Sequence, residues 1–174
     1  YMGGGTPTTL SAEQMARLLE AVNTYFDLSR CLEFTVEGGR PDTLDAEKLR
    51  VIKEGGATRI SINPQTMSDT VLRAVGRRHS AASVVDVFHQ AREAGFDDIN
   101  MDLIAGLPAD TAHGFADSLR QVMNLGPSNI TVHTLALKKG ADLFQRRVAL
   151  PSQADVARML EDAERALRAD GFAP

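Results

Sequence analysis

The chain has 174 residues, 43% of them hydrophobic and 24% charged, with a formal net charge of −4. That is enough for one soluble, globular domain with a real core, and the acidic balance removes the electrostatic case for nucleic acid or an anionic membrane surface. A single cysteine excludes an internal disulfide framework. With no apolar run near ~18 residues and no signal-peptide pattern, a cytoplasmic protein without membrane contact is the expectation.

The chain opens on YMGGGTPTTLS, three glycines between a strand-like start and a helix cap. Ser11, with Gln14 three residues on, forms a capping-box pattern, and Met15, Leu18, Leu19, Val22 and Tyr25 then share one helical face. The short apolar run CLEFTVE reads as a strand, with Cys31 packing into the core. A helix from Asp45 turns Leu49 and Ile52 inward and stops at Gly55 and Gly56. TRISIN is a second strand, and the helix from Ser80 to Gly95 packs Val84, Val85, Phe88 and Ala91. INMDLIAG is a third strand, followed by a helix that packs Phe115, Leu119, Val122 and Met123 and ends at Gly126-Pro127. NITVHTLAL is a fourth, and the last helix packs Val156, Met159, Leu160, Ala163 and Leu167 before Gly171. The helix exits echo one another as KEGGATRI, REAGFDDI and RADGFAP. Strand-helix units at roughly 30 to 40 residues imply a parallel sheet with right-handed crossovers. An open doubly wound sheet and a barrel both satisfy this. The start inside a strand pattern and the stop at RADGFAP read as a piece of a longer protein.

Polar residues fall where these strands end. Glu37 closes FTVE, Asn63 and Gln65 follow RISI, Asp102 interrupts INMDLI and His133 interrupts ITVHTLAL. Ligands of parallel α/β folds bind at the C-terminal ends of strands. Each alone reads equally as a satisfied buried group, but four together favour a site, because each unpaired burial costs about 1–3 kcal/mol. The glycines lack the lysine of a phosphate loop, and Thr6, Pro7 and Thr8 interrupt any dinucleotide fingerprint. GGGTP therefore offers bare backbone whose carbonyls suit an ammonium better than a phosphate, or it is a tight strand-to-helix turn. Met67, Met101 and Met123 read as packing, and His89 and His113 as surface; His79 is open between a helix-boundary and a substrate role. Paired basics such as Arg77-Arg78 are more often a solvated face than a carboxylate site.

YMGGGTPTTLS, FTVEGGRPDTL, RISINPQTMSDTVLRAVGRRHS and AREAGFDDINMDLIAGLP, in that order and spacing, resemble the radical S-adenosylmethionine (SAM) oxygen-independent coproporphyrinogen III oxidase family. GRPDT, INPQTM and TVHTLALKKG look closest to its coproporphyrinogen dehydrogenase branch, and the resemblance runs from Tyr1 to about Gly140. It implies a partial (β/α)6 TIM-like barrel of parallel strands with outer helices, its first strand missing, so that residues 1–174 are the central part of a longer barrel domain. It also implies that Gly4, Gly5 and Thr6 hold the methionyl amine of SAM and that Glu37 is the acid nearby. Gln65 and Arg77 would contact the nucleoside and carboxylate, a guanidinium fork suiting a carboxylate. Asp102, Ile104 and Leu135 would border the ribose and adenine, Leu135 being bulkier than the small residue often found there.

The family holds a 4Fe-4S cluster on a C-x-x-x-C-x-x-C loop, with SAM on the fourth iron. One cysteine cannot supply three thiolates, so the 174 residues alone are expected neither to bind the cluster nor to cleave SAM. For a full-length parent the resemblance implies a tetrapyrrole substrate and an electron donor. Two propionates are oxidatively decarboxylated to vinyls, giving protoporphyrinogen IX, the cofactor carrying the hard chemistry. A haem chaperone of the same superfamily, or a SAM-binding α/β module without radical chemistry, fits the same residues. An unpaired sheet edge would favour self-association.

Overall fold

The computed structural model describes residues 1–136 and 149–173. Four parallel strands, β1 (Thr35–Gly39), β2 (Arg59–Gln65), β3 (Asp98–Ala105) and β4 (Asn129–Thr134), lie side by side in chain order. Met2 adds one parallel bridge to Val36, so the strand-like start pairs along the outer edge of β1. The helices are α1 (Ala12–Tyr25), α2 (Ala46–Glu54), α3 (Asp69–Ala74), α4 (Ala81–Glu93), α5 (Ala112–Leu125) and α6 (Gln153–Ala169).

Strand residues alternate in character, and that alternation builds the two faces of the sheet. Val36, Ile60, Ile62, Ile99, Met101, Leu103 and Ala105 are fully buried on the helix-covered face. They pack with Leu49 and Ile52 of α2, Val84 and Phe88 of α4, Phe115 and Val122 of α5, and Met159 of α6 in one core. Each helix starts where its sequence supplies a cap. Ser11 and Gln14 form the reciprocal capping box of α1, and Asp45, Ser80, Thr111 and Ser152 accept from the first-turn backbone of theirs. Gly126 ends α5 in the left-handed conformation (φ 72°).

Several packing expectations are corrected. β1 begins at Thr35, and Cys31 is exposed before it, its thiol donating to the Glu33 carbonyl at 3.2 Å. Phe34, not Cys31, plugs that end of the core. Leu18 and Tyr25 are exposed, α1 packing chiefly on α2. Val87 is buried where Val85 was expected, Val85 being half-buried. The short α3 was not anticipated. Leu137 and the LKKG of the fourth strand's motif lie outside the described residues. Among the described residues, no helix is long and apolar enough to cross a membrane.

Candidate functional site

The C-terminal ends of β1 and β2 both leave regular pairing, at Glu37/Gly39 and at Ile62/Gln65. Gly38 makes the first shift possible: a Cβ there would lie 2.9 Å from the Ser61 carbonyl oxygen, backbone that cannot step aside. Against this tip sits the opening loop. Buried Thr8 donates its hydroxyl to the Gly38 carbonyl at 2.7 Å and meets the Thr43 hydroxyl at 2.6 Å. Lys48 Nζ caps both Thr8 and Thr43 carbonyls, at 3.0 and 2.9 Å. So anchored, the loop brings the Gly4 N–H to Glu37 Oε2 at 3.2 Å. Gly4 holds φ 120°, which side chains rarely adopt, and Gly5 is exposed beside it.

Backbone strain gathers at the same edge. Among the described residues, three non-glycine residues have positive φ: Thr6 (33°), Gln65 (69°) and Ala109 (63°). The β-branched Thr6 is a genuine outlier, and such strain, about 1–3 kcal/mol each, concentrates at ligand sites. Two of the three are candidate site residues.

The face of the sheet turned away from the helices is polar along its length. Thr35, Arg59 and Asp98 form one row, with Arg59 bonded to Glu33 (3.4 Å), Asp98 (3.4 Å) and Asn129 (3.3 Å). Glu37, Ser61, Asn100 and Asn129 form the next. Above them stand Asn63, Asp102 and Thr131, then Ile104 opposite His133, which is exposed. Asn63 Nδ2 donates to Glu37 Oε1 at 3.4 Å and Ser61 Oγ to Asn63 Oδ1 at 3.0 Å. Asn100 Nδ2 donates to Ser61 Oγ at 2.9 Å and to Asp102 Oδ1 at 2.7 Å, and Thr131 Oγ1 donates to Asn100 Oδ1 at 2.9 Å. Gly4, Glu37 and Asp102 are thus joined by hydrogen bonds on one face.

The remaining candidates make no side-chain hydrogen bond to this row among the described residues. Gln65 ends β2 with no side-chain hydrogen bond among the described residues. Arg77, half-buried after α3, has no ion pair or side-chain hydrogen bond among them either. Burial, then the neighbouring Arg40, lowers its guanidinium pKa from the ordinary value, with Asp42 opposing. An unpaired, partly desolvated guanidinium is a ready carboxylate partner. His79 is buried and points Nε2 at the Pro64 carbonyl (3.2 Å), so Nε2 carries the proton and pins the β2 tip just before Gln65. Burial pulls its pKa below the ordinary value. His79 therefore supports the tip through Nε2, while its buried Nδ1 has no hydrogen-bond partner among the described residues. Ile104 is half-buried on the polar face. Leu135 bonds its N–H to the Ala105 carbonyl and lines a cavity of about 350 Å³ with Gly106, Leu150, Pro151 and Val156, none of them another candidate.

Sequence reasoning passed over Ser61, Asn100, Thr131 and Thr8. The first three were marked by R-I-S-I-N, D-I-N-M-D and N-I-T-V-H, where polar residues alternate with apolar ones in register. Thr8 carried no such mark.

A parallel sheet with helices on one face and polar groups on the other, crowned by a strained glycine turn, is a partial (β/α) barrel with its chemistry at the strand ends. Residues 1–122 match the model of the Radical SAM superfamily, and the chain belongs to that superfamily. It is 39% identical over 177 residues to the oxygen-independent coproporphyrinogen-III oxidase-like protein HemZ of Bacillus subtilis, covering 100% of this chain and 35% of that protein. It is 38% identical to the heme chaperone HemW of the same organism, covering 99% and 46%. The structure of coproporphyrinogen III oxidase HemN from Escherichia coli superposes with a TM-score of 0.88 at 30% identity, covering 98% of this chain and 40% of that one. The chain spans less than half the length of these relatives.

Radical SAM proteins use S-adenosylmethionine and a 4Fe-4S cluster. The candidate residues fit the first: two carboxylates, with an amide and a guanidinium that have no side-chain partner among the described residues, match an ammonium, hydroxyls and a carboxylate. They do not fit the second, because the chain's one cysteine is exposed at the opposite, N-terminal end of β1.

Proposed function

We propose that these residues form the SAM-holding part of a longer radical SAM protein that oxidatively decarboxylates two propionates of coproporphyrinogen III to vinyls. The observation that carries the reading is the hydrogen-bonded row from Gly4 through Glu37, Asn63, Ser61 and Asn100 to Asp102. In this reading Glu37 and the turn at Gly4, Gly5 and Thr6 receive the methionyl ammonium, and Arg77 receives the carboxylate. Gln65 and Asp102 accept or donate to the ribose, while Ile104 and Leu135 border the adenine. In such proteins SAM, given one electron by the cluster, would supply hydrogen-atom abstraction; the part of this chain is to orient SAM and limit water around it. The cluster's thiolates lie outside these residues, so the 174-residue chain binds SAM without cleaving it.

A second reading, haem trafficking, rests on the 38% identity to HemW. Calorimetric titration of the chain with SAM tests the site, and saturable 1:1 binding is expected; no binding by a folded chain refutes it. An anaerobic assay of the full-length protein with coproporphyrinogen III, set beside a haem titration, separates the two readings. Vinyl formation supports the oxidase, and tight haem binding without turnover supports the chaperone.

A further inference from the structure

Resting on the SAM reading above, we propose that Asn100 is a positioning residue: it sets the proton arrangement of the row and so holds Asp102 as an oriented acceptor for the ribose hydroxyls. Asn100 is 5% exposed, and the hydrogen bonds of its side chain all run to other side chains. Ionised carboxylates only accept, so the neighbours of Glu37 and Asp102 must present N–H to them. That fixes the amide of Asn63 with Nδ2 toward Glu37, and the amide of Asn100 with Nδ2 toward Asp102. Ser61 has one proton; it accepts from Asn100 and gives that proton to Asn63. Thr131 then donates to Asn100 Oδ1, the only group left without a donor. One arrangement satisfies every member, and it runs outward from Asn100 to both carboxylates.

The consequence is directional. Asp102 Oδ1 is occupied at 2.7 Å, which fixes its carboxylate plane and leaves Oδ2 for a ligand donor. Asparagine is the residue type this position requires. Aspartate would put a third acid between Glu37 and Asp102 and would face Asp102, which only accepts, with another acceptor. An apolar residue would strand Ser61, Asp102 and Thr131 together. Charge-assisted bonds from pre-set groups gain most where water is scarce.

The test uses two variants of the chain, Asn100→Asp, which keeps volume and reverses bonding character, and Thr131→Val, which removes the donor to Asn100 Oδ1 and with it the longer contact to Asn129 Oδ1 at 3.3 Å. Each is titrated with SAM and with its 2′,3′-dideoxy analogue, and thermal melts report folding. The expected result is that Asn100→Asp weakens SAM by about tenfold relative to its effect on the dideoxy analogue, with Thr131→Val smaller and of the same sign. Equal loss for both ligands, or none for SAM in either variant, overturns the inference while leaving the SAM reading standing. Failure of the unaltered chain to bind SAM overturns that reading and this inference with it.

Discussion

Replacing Thr8 by valine removes one oxygen from a fully buried position and changes little else in shape. The hydroxyl makes two bonds, to the Gly38 carbonyl at 2.7 Å and with Thr43 Oγ1 at 2.6 Å. A buried hydrogen bond contributes about 0.5–1.5 kcal/mol net, so losing both costs about 2 kcal/mol. For a chain of this size that lowers Tm by about 4–8 °C. Urea unfolding should show the midpoint falling with the slope unchanged, which marks lost stability rather than altered compactness. Thr24→Val is the control: its exposed hydroxyl bonds back to Glu20 within α1, and the expected change is within about 0.5 kcal/mol. Thr43→Val should be non-additive with Thr8→Val by about 0.5 kcal/mol or more. A Tm shift under ~1 °C, or full additivity with Thr43→Val, would refute the claim that this hydroxyl pair anchors the glycine loop.

Gly4→Val should still fold, since open space surrounds the position, but melt lower and bind SAM more weakly, because φ 120° is hostile to a branched side chain and the loop must shift; equal SAM affinity would remove the turn from the site. Asp110 is buried with Oδ2 unpartnered, and burial raises its pKa above the ordinary 3.8 despite the Thr111 N–H bonded to Oδ1. A raised carboxyl contributes stability that is full below its unfolded pKa and is lost as pH rises through the folded one. Asp110→Asn should therefore be more stable than the unaltered chain at pH 7, with the difference shrinking toward pH 4; a difference constant over that range counts against a buried charge.

The parallel order of the strands was legible because each strand-helix unit carries its own punctuation: Ser11, Asp45, Ser80 and Thr111 open helices and glycines close them. The gathering of Glu37 and Asp102 followed from strand ends sharing one edge. What was missed had two causes. Asp102 read as an interruption of an apolar run, whereas Asn100 and Asp98 before it show a complete polar row, visible only when all three strands are aligned. Cys31 and Val85 were misplaced because a strand's start and a helix's rotation depend on partners distant in sequence. Thr8 and His79 act by bonding backbone carbonyls thirty and fifteen residues away, contacts that residue type alone does not announce.

A sheet wall built of amides, hydroxyls and carboxylates stays wetted until something displaces that water. Any guest exchanges solvent bonds for protein bonds and covers little hydrocarbon. Its calorimetric signature should accordingly be exothermic, opposed by entropy, and accompanied by only a shallow heat-capacity change.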